Sequence, residues 1–208
     1  MRKARTRSLM FAAAALAVGA MLPATPAQAQ FSDAYKFLEA VKKKEGQTVT
    51  DALALPGSTV IRARDLTTGE GALHIVTQRR DLTWLKFLVQ KGADVNQRDN
   101  KGISPLQLAT QLGWAEGVAF LVSQDAQLDD PDIAGETPLI SAVHRRDTEL
   151  MRILLEGGAD PDRADNSGRS ARDYAALGGK GGQLSATIEQ HAKDRDTGNA
   201  RSTYGPTL

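Results

Sequence analysis

Four glycines fall at one fixed step: Gly69, Gly102, Gly135 and Gly168 are each 33 residues apart. A second series, Gly92, Asp125 and Gly158, keeps the same step. Matching strings surround them: GADVNQRDNKGISPLQLA from Gly92, DAQLDDPDIAGETPLISA from Asp125 and GADPDRADNSGRSARDYA from Gly158. Apolar residues recur in register. Leu73, Leu106 and Leu139 form one column, and Leu85, Val118, Met151 and Leu184 a second. Leu88, Leu121 and Leu154 form a third, beside Val89, Val122, Leu155 and Ile188. A period of this size constrains the fold more than composition does. Each unit is one supersecondary motif, too small to bury its apolar face except against its neighbours.

Within a unit the signals run turn, helix, short turn, helix. Asp99-Asn100-Lys101-Gly102 is a turn, with Gly supplying a backbone conformation that other residues resist. Ser104 stands as N-cap, Pro105 at the first helical position, and Gln107 where it can complete a capping box. The first helix is expected over about Pro105 to Leu112 and is stopped by Gly113. The second is expected over about Ala115 to Ser123, with Val118, Leu121 and Val122 on one face. Thr137-Pro138 repeats the same start one unit later.

These residues resemble the ankyrin repeat, whose period is 33 and whose signature includes T-P-L-H-x-A. The nearest matches are Gly135-Glu136-Thr137-Pro138-Leu139 and Gly92-Ala93-Asp94-Val95-Asn96. Leu73-His74 keeps the His of the signature, whereas Gln107 and Ile140 replace it in the next two units. The resemblance covers about residues 65–190. It implies an all-α solenoid of stacked helix-turn-helix units with projecting β-hairpin fingers, and a concave face lined by fingertips and first helices. It also implies that His74 ties neighbouring hairpins with a hydrogen bond.

The ends depart from the pattern, as capping units do. Residues 30–64 are expected to form a degenerate N-terminal cap, 65–164 three repeats, 165–193 a C-terminal cap and 194–208 a disordered tail. One extra residue lies in Asp65-Leu66-Thr67-Thr68 before Gly69, so the first finger is expected to have a modified tip. Arg172 takes the column of Leu73, Leu106 and Leu139, which suits a unit with no further neighbour. Gly178 to Gly182 is read as a break before a final helix near Gln183 to Lys193.

Residues 1–29 read as a signal peptide. Arg2, Lys3, Arg5 and Arg7 precede an uncharged apolar run from Leu9 to Leu22, and Ala27-Gln28-Ala29 has the pattern of a cleavage site. The run is shorter than the ~20 residues that a spanning helix needs. Cleavage after Ala29 and a periplasmic location are expected, with no stable membrane insertion of the mature chain. Four of the 26 Lys and Arg and none of the 25 acids lie in residues 1–29, so the remainder carries 22 against 25, a net of −3. That balance argues against nucleic acid as a partner.

No catalytic, cofactor or metal site emerges. Cys is absent, which removes thiol nucleophiles and thiolate metal sites. No two His are spaced as ligand pairs. Asp160, Asp162 and Asp165 before Gly168 miss the D-x-D-x-D-G spacing of a calcium loop. Gly178 to Gly182 lacks the Ser or Thr of a phosphate loop. The chain is read as a non-enzyme, a monomeric protein-binding scaffold with no cofactor. The other reading is an envelope accessory or holdase-like protective protein.

In the ankyrin resemblance, the end of each first helix faces the concave groove. Gln78, Arg79 and Arg80 stand there in one unit, Gln111, Leu112 and Gly113 in the next, and His144, Arg145 and Arg146 in the third. Lys101, Ile103 and Glu136 join them from the fingers. The expected groove has two basic flanks around a neutral centre, suited to an acidic protein surface or extended segment.

Overall fold

The computed structural model describes residues 26–177 and 182–196, with side chains over 33–177 and 182–192. The apolar run of the expected leader, most of the glycine break and nearly all of the expected tail lie outside the described residues.

Five helical pairs follow one another: α1 (Pro26–Lys43) with α2 (Gly46–Ala54), α3 (Ala72–Gln78) with α4 (Leu82–Gln90), α5 (Pro105–Leu112) with α6 (Ala115–Ser123), α7 (Pro138–Arg145) with α8 (Thr148–Gly157), and α9 (Ala171–Leu177) with α10 (Gln183–Asp196). A 3-10 turn, Val60–Arg62, joins the first pair to the second. First helices stack on one another from α1 through α9, and α4, α6, α8 and α10 stack as a second layer. The expected processing point after Ala29 falls in the first turn of α1.

Local chemistry sets the helix ends. Ser104 Oγ accepts from Gln107 N at 3.2 Å, and Thr137 Oγ1 accepts from Ile140 N at 3.3 Å. Each precedes a proline whose missing N–H costs nothing at a first helical position. Asp81 and Asp147 cap α4 and α8 through Trp84 N and Leu150 N. Gly113 closes α5 with φ of 70°. Arg80 and Arg146 occupy the same turn position with φ of 53° and 57°, so the turn keeps its shape where Gly is replaced.

The repeat columns are the core. Leu73, Leu106 and Leu139 are buried, as are Leu85, Val118 and Met151, and Leu88, Leu121 and Leu154. In the last unit Arg172 leaves the column and pairs instead with Asp162 and Glu189.

Two expectations are corrected. The fingers, expected as β-hairpins, form no extended strands among the described residues. Among the described residues the only bridges are isolated, Arg64 with Gly71 and Ala164 with Ser170. Each finger closes with short backbone bonds at its tip, such as Asp99 N to Ile103 O at 2.9 Å and Gly102 N to Asp99 O at 3.1 Å. Its other tip donors turn inward or sideways. Asp99 Oδ1 accepts from both Lys101 N and Ile103 N at 2.8 Å, and Asp132 and Asp165 repeat this. Asn100 reaches the preceding finger, Nδ2 to Thr67 O at 3.0 Å, and Asn166 does the same to Ile133 O. Backbone groups satisfied along the stack have no need of a strand ladder within one finger. The second correction concerns Gln107. Its side chain does not return to cap α5; Nε2 donates to Glu136 O at 3.2 Å and to Ser141 Oγ at 3.0 Å in the next unit.

That link is equivalent to the one made by His74, whose Nε2 lies 2.9 Å from Ile103 O while Nδ1 accepts from Gly71 N. With Nδ1 accepting, Nε2 carries the proton and donates. Burial, the largest influence, holds the His74 imidazole below its ordinary value, against the pull of Ile103 O.

Candidate partner-binding face

The face expected to bind a partner is made of the finger residue before each first helix and the helix positions that the core does not use. In the central unit these are Ile103, Leu108, Gln111 and Leu112, all half-buried. On one side lie Glu70 and Gln78, joined by a 2.7 Å bond from Gln78 Nε2 to Glu70 Oε1. On the other lie Glu136 and His144, with Nδ1 3.6 Å from Glu136 Oε1. The His144 ring meets Tyr174 edge-on at 4.5 Å. Tyr174 Oη donates to Asp165 Oδ2 at 2.7 Å. That bond first, with those from Ser167 and Arg169, holds the Asp165 carboxyl well below the usual carboxylate range.

The arginines expected to flank the groove are partly committed to the scaffold. Arg79 Nη1 donates to Val41 O at 2.6 Å and Lys42 O at 2.9 Å, closing the end of α1, and its side chain is only 22% exposed. Arg80 donates to Leu112 O, and Arg145 Nη1 to Gln111 O at 2.9 Å. Both therefore converge on the C-terminal end of α5, where cations suit the negative end of the helix dipole. Arg146 is exposed, with no side-chain hydrogen bond or ion pair to a described residue. Lys101 is exposed at its fingertip.

Sequence reasoning passed over Glu70, Leu108 and Tyr174. The available signal was the column Ile75, Leu108, Ser141 and Tyr174, which passes from aliphatic to hydroxyl to aromatic beside the apolar column of Leu73, Leu106 and Leu139.

Among the described residues no group of three or more His, Cys, Asp or Glu is placed to hold a metal ion. The three acids before Gly168 are tied locally: Asp160 to Asp162 N, Asp162 to Arg172, and Asp165 as above. No described helix is long and apolar enough to cross a membrane.

Comparison with known proteins agrees with the stacked helical pairs. A family model described as ankyrin repeats (3 copies) matches residues 37–132, and one described as ankyrin repeats (many copies) matches residues 121–175. The chain is also similar to a potassium channel, AKT1, of Arabidopsis thaliana, 39% identical over 61 residues. That match takes in 29% of this chain and 7% of the channel.

Proposed function

The chain carries ankyrin repeats over residues 37–175, and from that premise we propose that it is a non-catalytic scaffold that binds one protein partner in its concave groove and along its fingertips. Ankyrin repeats are protein-interaction modules, so a protein partner is the general consequence of the fold. One observation carries the finer reading. Buried columns stay apolar from unit to unit, whereas each groove column keeps one polar residue in two units and changes it in the third: Glu70 and Glu136 with Ile103, Gln78 and Gln111 with His144, Arg79 and Arg145 with Leu112. A rigid frame presenting unlike side chains in fixed order is suited to reading one extended surface.

The free cations of this face are Lys101 and Arg146. Replacing both with glutamate is expected to leave folding intact, to slow association with an acidic partner and to weaken the salt dependence of the rate. Unchanged binding by the double variant would remove these edges from the interface. Reversal at Arg79 is a poorer test, because it breaks the closure of α1.

The reading extends to export. The basic start, the uncharged run from Leu9 to Leu22 and the Ala27-Gln28-Ala29 motif support a cleaved leader and a periplasmic mature chain beginning at Gln30. Intact-mass measurement of an osmotic-shock fraction is expected to give that start. A full-length mass in the membrane pellet would defeat it.

A further inference from the structure

We infer that Arg80 and Arg145 together form a carboxylate clamp at the C-terminal end of α5, taking an Asp or Glu side chain of the partner; this rests on the interaction reading above. No Lys or Arg occurs between Gly102 and His144, so the two helices of the central unit carry no cation of their own. The two neighbouring units supply it. Arg80 comes from one side to Leu112 O and Arg145 from the other to Gln111 O, consecutive carbonyls of one helix end.

The turn residue that follows these carbonyls is Gly113. In the flanking units the equivalent turn position is Arg80 and Arg146, yet here it is Gly. A Cβ added at Gly113 would lie 2.1 Å from Arg145 Nη2. The missing side chain is what lets that guanidinium lie over the turn. Each guanidinium has five N–H donors, and the helix end uses one of each pair's fork in the observed bonds. Both side chains are exposed, so the remaining donors face solvent at the margin of the half-buried Leu112. Planar forks of this kind match carboxylate oxygens in pairs.

The probe is an acetylated oligoglutamate peptide, followed through the arginine Nε–Hε resonances of the full chain. Expected are saturable shifts of Arg80 and Arg145, and affinity weaker by about tenfold or more in the Arg80→Gln, Arg145→Gln double variant. Both positions are exposed, so the double variant is expected to fold as wild type, which circular dichroism checks. Arg152→Gln, on α8 and paired with Glu149 and Glu156, is expected to bind as wild type. Equal binding by the double variant, shifts spread evenly over all exposed arginines, or no binding would each overturn the clamp. Capture of the native partner separates the two ideas. If the double variant captures it as well as wild type, the clamp fails and the scaffold stands. If wild type captures none, the scaffold reading itself fails.

Discussion

At the scale of the residue, His74 and Gln107 show one task solved by two chemistries. Both sit fully inside the stack and donate to the finger carbonyl of the next unit, Ile103 O and Glu136 O. The period placed His74 in its column, and the ankyrin resemblance implied its link. It did not show where Gln107 turns, because an N-cap box and a bridge to the next unit both lie within reach of a glutamine at that position. The choice depends on Ser141, which only the folded stack brings near. The two differ in their response to acid. Burial depresses the His74 value below 6.5, so the unfolded chain takes up a proton that the native state resists. Stability from His74 is then complete above about pH 6.5 and is lost as pH falls toward the folded value. His74→Gln keeps the donor and removes the titration. Urea unfolding at about pH 8 and about pH 5, on either side of the ordinary imidazole value, is expected to show a smaller acid loss in the variant. An identical loss in both proteins would place the acid sensitivity elsewhere.

At the scale of the element, periodicity was most informative where burial leaves one solution. The limits of α5 and α6 follow from Ser104, Pro105, Gly113 and the apolar face, and the structure gives Pro105–Leu112 and Ala115–Ser123. Leu121 is fully buried between α6 and its neighbours. Leu121→Ala is expected to cost about 2–5 kcal/mol, the range of large-to-small core changes. Asn100→Ala is expected to cost about 0.5–1.5 kcal/mol, one net hydrogen bond between fingers. Chemical denaturation of both variants checks the order. Equal costs would mean that the register of the core is wrong. The fingers were the least legible element. Asn100 and Asn166 share a column, and the family resemblance implied strands within each finger instead of a link along the stack.

At the scale of the whole molecule, columns predict what is buried and leave open where long side chains go. Arg79, Arg80 and Arg145 were legible as groove-edge cations. Their bonds to the ends of α1 and α5 were not, since those carbonyls belong to other units and approach only after stacking. Arg80 and Arg145 reach the end of α5 from two sides, with Glu70 and Glu136 beside the finger row and Arg146 left exposed. Site-specific photocrosslinking in living cells tests the central claim, that this face binds one protein. A photoreactive side chain is placed at Gln111 in the groove and, separately, at Arg152 on the exposed side of α8. The account predicts one dominant crosslinked partner from position 111 and none from position 152. Crosslinks to the same protein from 152 alone, or to many unrelated proteins from 111, would contradict it.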